Sequence, residues 1–275
     1  MPHPSCLTLA RRRFIGGAAT LVACLAFAGT ADAASVEERP DLRAVFDEQG
    51  VRGTFVLYDV AAERITVVNG ERANRRYAPA STFKIANSLI ALETGAVADE
   101  TEVVPYGGKP QPVEAWERDM NMREAIKVSN VPVYQEIARR IGLERMRAMI
   151  DRLDYGNREI GAVVDRFWLD GPLAISALEQ ARFVARLARG DLPVSARSQF
   201  IVRDILRLEQ EGDAVLYGKT GWLAGTEPSI GWWTGWVDRD GKIYAFALNI
   251  DMPSVEDAPK RIAIGRSLLA RLGVL

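Results

Sequence analysis

Ser81-Thr82-Phe83-Lys84 sets a hydroxyl and an amine three residues apart, the one S-x-x-K in the chain. On a helix that spacing brings both side chains to one face, within reach of each other. A serine attacks well only when a neighbouring base takes its proton. The sole histidine is His3, at the extreme N-terminus, so a Ser-His-Asp triad is excluded. Lys84 can replace the histidine if it sheds its own proton, and burial favours that by penalising the ammonium.

The helix expected from Ser81 to Thr94 follows Pro79 and stops at Gly95. Phe83, Ile85, Ala86, Leu89, Ile90, Ala91 and Leu92 make it apolar nearly all round, the mark of a buried helix. Ser81 opens it, where backbone N–H groups and the dipole favour developing negative charge.

Three further segments carry candidate chemistry. Lys219-Thr220-Gly221 ends the apolar strand containing Val215-Leu216-Tyr217. It would present a charge and a hydroxyl to an anionic substrate, with Gly221 allowing close approach at the strand edge. Ser129-Asn130-Val131 lies between two helical stretches, where its hydroxyl could pass a proton across a cleft. Tyr155-Gly156-Asn157 reads as a turn. Taken singly, each fits ordinary surface or strand-end polarity equally well.

Residues 1–33 read as a leader rather than as fold. Arg11-Arg12-Arg13-Phe14-Ile15 precedes an apolar run to about Ala28, and Ala31-Asp32-Ala33 offers a cleavage site. The paired arginines fit a Tat-type signal as well as an ordinary Sec signal. Leu21-Val22-Ala23-Cys24 resembles a lipoprotein box, but cleavage after Ala33 is the favoured reading. The expected product is an exported, periplasmic protein with no transmembrane segment. Losing three arginines and Asp32 moves the net charge from -1 to -3. Such a surface suits neither nucleic acid nor anionic lipid. Cys6 and Cys24, the only cysteines, leave with the leader. Carboxylates then remain as the only strong metal ligands, so no metal cofactor is expected.

The elements that must position these groups follow in order. A helix is expected over Pro40–Gln49, strands over Thr54–Asp59 and Arg64–Asn69, then the buried helix. A Gly- and Pro-rich loop spans about Asp99 to Pro112. Helices follow over Met122–Val128, Val133–Ile141, Glu144–Leu153, Ala177–Arg189 and Ala196–Leu208. Strands return over Ala214–Lys219, Ile230–Val237 and Ile243–Ile250, and a helix from about Ala258 to Leu272 closes the chain. This order predicts an α+β fold: an antiparallel sheet flanked by helices, with an all-helical subdomain inserted over roughly residues 99–210. One catalytic domain over 34–275 is expected, with the site in the cleft between the two parts.

Together, S-x-x-K, S-N-V, Y-G-N and K-T-G in this order resemble the class D β-lactamases, the oxacillinase family of penicillin-recognising serine enzymes. The resemblance runs from about Val51 to the C-terminus. It includes Asn87, Trp116-Glu117-Arg118-Asp119, Phe167-Trp168-Leu169 and Gly231-Trp232-Trp233-x-Gly235-Trp236-Val237. The class A pattern of S-D-N with a loop glutamate has no counterpart here.

The resemblance implies a β-lactamase/transpeptidase-like fold and hydrolysis of penicillin-type β-lactam antibiotics through a serine acyl-enzyme. It implies that Lys84 carries a CO2-derived N6-carboxylate serving as general base, with no other cofactor. Trp168 and Ser129 would donate hydrogen bonds to that carbamate. Ser81 would be the nucleophile, with an oxyanion hole from the Ser81 and Trp222 N–H groups. Ser129 and Lys219 would pass the proton to the leaving nitrogen. Thr220 and Arg261 would bind the substrate carboxylate, although Arg261 beside Lys260 and Arg266 also fits a surface position. Val131 and Leu169 would border the hydrolytic water's path and Trp116 would roof the cleft, or all three only pack. A D,D-peptidase would use the same S-x-x-K and K-T-G parts but carry asparagine at the place of Val131. A non-catalytic β-lactam sensor domain would stay acylated.

Overall fold

Apolar runs bounded by short polar turns set the strands. The computed structural model describes residues 34–275. The leader and lipoprotein-box readings of residues 1–33 lie outside the described residues. Strands β2 (Gly53–Asp59) and β3 (Arg64–Val68) form one antiparallel hairpin. Strands β7 (Ala214–Leu223), β8 (Ile230–Arg239) and β9 (Lys242–Asp251) form a meander. Its last turn has positive φ at Asp240 and Gly241, 51° and 75°, as a tight hairpin turn of the expected hand requires. The first and last parts of the chain join where β2 pairs with β9.

Two strands were not expected. β1 (Ser35–Glu38) adds beside β3, and β6 (Arg207–Glu211) adds beside β7. The sheet therefore has seven strands in the order β1-β3-β2-β9-β8-β7-β6. The β1–β3 pairing is parallel, so the sheet is mixed rather than wholly antiparallel. Every residue of β1 and β6 is exposed. Backbone pairing alone holds them, and no apolar alternation exists to betray them. The helix expected to run to Leu208 ends at Ile205 for the same reason. A small ribbon of β4 (Val103–Val104) and β5 (Met120–Asn121) closes the predicted loop.

Helices cover both faces. On one, α1 (Ala44–Asp47) and α9 (Ala258–Arg271) share a core with the sheet, built on Phe46, Phe55, Trp233, Phe246, Ile264 and Leu268. Short α2 (Gly70–Asn74) follows β3. On the other face lie α3 (Lys84–Glu93), α4 (Met122–Lys127), α5 (Val131–Ile141), α6 (Leu143–Leu153), α7 (Ala177–Arg189) and α8 (Ala196–Ile205). Phe83, Leu89, Tyr134, Trp168 and, from the sheet, Trp236 belong to one core there. The apolar sequence of α3 is matched by burial of every residue from Lys84 to Leu92. Each of its large side chains contributes about 2 kcal/mol of transfer free energy. That rigidity is what holds Lys84 away from water.

Candidate active site

The α-helix begins three residues later than the sequence suggests. Ala80–Phe83 is a single 3-10 turn, and regular helix starts at Lys84. Side chains three apart eclipse one another in 3-10 geometry. Ser81 Oγ and Lys84 Nζ accordingly lie 2.8 Å apart. Lys84 is completely buried. Burial, and secondarily the nearby Lys219, push its ammonium pKa well below the ordinary lysine value, which favours a neutral amine facing the Ser81 hydroxyl.

Ser129 caps the opposite wall. It stands in the left-handed region, φ 57°, in the turn between α4 and α5. Asn130 fixes that turn: its Oδ1 accepts from Val133 N–H at 3.0 Å and its own N–H donates to Ala125 O at 2.8 Å. Lys219 Nζ lies 3.1 Å from Ser129 Oγ and donates to Thr220 O at 2.9 Å. Burial first, and Arg261 second, bring the Lys219 pKa down to about 7. Arg261 lies in α9, its Nη1 donating to Gly221 O at 2.7 Å, and burial lowers its pKa to about 10. Arg261 thus reaches the end of the K-T-G segment and is only partly exposed. Lys84, Lys219 and Arg261 form a line of three basic groups, and no carboxylate contributes to the pKa of any of them. Such a line attracts an anion.

The β7 edge is half open. Pairing with β6 stops at Arg207 opposite Tyr217, and Gly218 N–H donates to Leu206 O on that side. Backbone direction alternates along a strand, so the N–H groups of Thr220 and Trp222 point to the same side, where β6 no longer follows. Thr220 is partly buried and Trp222 is 36 % exposed, its indole N–H donating to Met252 O at 3.2 Å. Gly221 is also required for a packing reason that its sequence did not suggest. A Cβ there would lie 3.0 Å from Pro79 O, 3.2 Å from Thr82 N and 3.3 Å from Ser81 N. The bare Cα lets β7 press on the Ser81 turn itself.

Trp168 is fully buried and stacks on Phe83 with ring centroids 5.3 Å apart. Its carbonyl accepts from Ala80 N–H at 3.0 Å, which ties its loop to the turn carrying Ser81. Its indole N–H has no hydrogen-bond partner. Leu169 is half-buried against the helical core, and Val131, half-buried, opens α5 two residues after Ser129. Trp116 is clipped to the Ser129 turn: its indole N–H donates to Val128 O at 3.0 Å, and its carbonyl accepts from Asn130 Nδ2 at 3.3 Å. Asn130 was passed over in the sequence, although an Asn three residues before a helical valine is a recognisable N-cap. The Tyr-Gly-Asn segment ties down the loop bearing Trp168. Asn157 donates to Pro172 O at 2.9 Å and accepts from Ala174 N–H at 3.0 Å.

A large cavity among the described residues lies elsewhere. It measures about 740 Å³, is lined by Arg43, Arg52, Arg72 and Asp251 among others, and contains no residue of the Ser81 site. Chemistry, not volume, locates the site here. Among the described residues no cluster of three or more metal-ligating side chains occurs.

A serine bonded to a buried lysine at a helix start, opposite a second lysine on a half-open strand edge, is the arrangement of the penicillin-recognising serine acyl-transfer fold. Residues 53–270 match the penicillin binding protein transpeptidase domain. Narrower relationships place the chain within that class. It is 40% identical over 252 residues to β-lactamase OXA-5 of Pseudomonas aeruginosa, covering 90% of this chain and 94% of that one. It is 44% identical over 233 residues to β-lactamase OXA-48 of Klebsiella pneumoniae, covering 85% and 88%. The crystal structure of FUS-1 (OXA-85), a class D β-lactamase from Fusobacterium nucleatum subsp. polymorphum, superposes with a TM-score of 0.84 at 42% identity. That match covers 87% of this chain and all of the other. The chain belongs to the class D β-lactamases.

Proposed function

We propose that this enzyme hydrolyses the β-lactam ring of penicillin-type antibiotics through an acyl-enzyme on Ser81, so protecting its host from them. The observation that carries the reading is the 2.8 Å contact of Ser81 with a buried Lys84 whose ammonium pKa burial lowers. Only a neutral amine takes up CO2, and the unpartnered Trp168 indole N–H is a donor suited to an anion formed there. The residues therefore fit an N6-carboxylated Lys84 held by Trp168 and Ser129. The carboxylate supplies a general base for both acylation and deacylation.

Ser81 Oγ attacks the lactam carbonyl. The N–H groups of Ser81 and Trp222, brought together by Gly221, hold the oxyanion. Ser129, hydrogen-bonded to Lys219, hands its proton to the leaving nitrogen, and a Lys219 pKa near 7 suits it to replace that proton. Thr220 and Arg261 receive the substrate carboxylate, Val131 and Leu169 flank the water's approach, and Trp116 covers the cleft. The leader reading places this activity in the periplasm. The expected result is rapid hydrolysis of benzylpenicillin that falls when CO2 is stripped and returns with bicarbonate. A stable acyl-enzyme without product release would overturn the hydrolase reading. Full activity without bicarbonate would overturn the carboxylated lysine.

Arg261 owes its path to a glycine. A Cβ at Gly231, on β8, would lie 2.9 Å from Arg261 Cδ and 2.6 Å from Met252 Sδ. Gly231→Val is expected to push the guanidinium aside and raise KM for penicillins about tenfold, the worth of a charge-assisted hydrogen bond. The kcat should change much less, because the reacting atoms are untouched. Steady-state kinetics beside Arg261→Ala, expected to behave alike, checks this.

A further inference from the structure

Tyr155 takes no part in the chemistry above, yet its hydroxyl is buried beside the nucleophile turn. We infer that Tyr155, Gln180 and Thr82 form a one-way chain of hydrogen-bond donors that fixes the turn carrying Ser81, with Gln180 as its central positioning residue. The inference rests on the reading of Ser81 as nucleophile.

Thr82 Oγ1 lies 2.7 Å from Pro79 O and 2.7 Å from Gln180 Nε2. A carbonyl only accepts, so the hydroxyl hydrogen belongs to Pro79 O. Thr82 Oγ1 must then accept from Gln180, which fixes the amide with its NH2 group towards Thr82. Gln180 Oε1 is left buried without a partner, and so is the Tyr155 hydroxyl. That hydroxyl lies beside both Thr82 and Gln180. One atom is an acceptor lacking a donor, the other a donor lacking an acceptor, and pairing them satisfies both. Burial raises the phenol pKa, so Tyr155 remains a donor at working pH.

The chain ends where the backbone is strained. Pro79 O, its terminal acceptor, belongs to the peptide group preceding Ala80. Ala80 stands at φ 48° immediately before Ser81, a conformation costly for alanine unless its surroundings enforce it. Ala80 N–H is held by Trp168 O on one side. Thr82 N–H, at 3.2 Å, and Thr82 Oγ1 hold Pro79 O on the other. Gln180 is a firm anchor because α7 starts in a complete capping box of Ser176 and Glu179, and Glu179 is also paired with Arg76. The chain therefore aims Ser81 Oγ from beneath. Once Ser81 is acylated, the new ester pins Oγ by itself, so the chain matters most before acylation.

The test is rapid-mixing kinetics with a chromogenic cephalosporin at saturating bicarbonate, separating acylation from deacylation. Thr82→Val and Gln180→Leu are each expected to slow acylation about tenfold, the worth of one buried hydrogen bond. The double variant should be no slower than the slower single one, because both break the same link. Tyr155→Phe should slow acylation about threefold in the same sense, and deacylation should change by less than about threefold throughout. A double-variant loss equal to the product of the single losses would overturn the chain, as would wild-type acylation by Gln180→Leu. If Gln180→Leu does not fold, the cycle is run with Thr82→Val and Tyr155→Phe and judged by the same criterion. Failure of the wild-type protein to acylate on Ser81 would sink the nucleophile assignment instead.

Discussion

Lys84→Ala removes turnover while leaving Ser81 able to be acylated slowly. The expected fall in kcat for benzylpenicillin is about three to four orders of magnitude, the upper range for loss of a general base used in both half-reactions. Intact-protein mass spectrometry should show the acyl adduct persisting on Ser81. The reason lies in what the site lacks. No second base was found in the sequence where class A enzymes place a glutamate, and no carboxylate contributes to the Lys84 or Lys219 pKa. A water attacking the acyl-enzyme therefore has no other base to turn to. The same logic fixes the pH dependence. The neutral amine is needed to take up CO2, so activity should drop, and need more bicarbonate, as pH falls through the lowered Lys84 pKa. Lys84→Met separates function from stability. It fills the same space without a buried amine, so the protein should unfold at the wild-type temperature or above while turnover is lost. Penicillin hydrolysis at the wild-type rate by either variant would refute the role of Lys84.

What the sequence made legible follows from what burial demands of it. The α3 segment announced its burial because nearly every residue is apolar, and the expected α7 range coincides with the helix that Ser176 and Gly190 cap. The β7–β9 meander was visible in its apolar runs. Strands β1 and β6 were not, because an exposed edge needs only backbone partners. At the site, side-chain identity was legible and backbone state was not. Ser81, Lys84, Ser129 and Lys219 could be named, and the structure brings them into two contacting pairs. Nothing in Pro79-Ala80-Ser81 signals a left-handed alanine, and nothing near Ser129 signals its positive φ. Those conformations are imposed by their partners, Trp168 far along the chain for the first and the adjacent Asn130 with its helix for the second. Gln180 left one trace, an amide at an otherwise apolar position of an amphipathic helix, but its partner Thr82 lies 98 residues away.

Gly221→Val is expected to cost more than any change that leaves the named side chains in place. The valine Cβ alone would meet Pro79 O at 3.0 Å, Thr82 N at 3.2 Å and Ser81 N at 3.3 Å. These are backbone atoms on both sides of the nucleophile, so no flexible side chain can swing away. Two γ-methyl groups then reach further into the turn. Either β7 retreats, which carries the Trp222 N–H away from the Ser81 N–H, or the turn itself shifts, which breaks the Ser81–Lys84 contact. The first outcome removes an oxyanion donor, worth about 10²–10³ in kcat, and the second removes the base as well. A loss in kcat of about a thousandfold is therefore expected. KM should change less, because Arg261 on α9 and Thr220 on β7 keep their side chains. Gly221→Ala should fall between, since a few tenths of an ångström of retreat relieve contacts of 3.0 Å and more. The graded series Gly, Ala, Val distinguishes this account from one in which Gly221 makes room for the substrate. Crowding of the substrate would raise KM most steeply and spare small β-lactams. Crowding of the nucleophile turn lowers kcat for every β-lactam alike, and steady-state kinetics on two penicillins of different side-chain size decides between them.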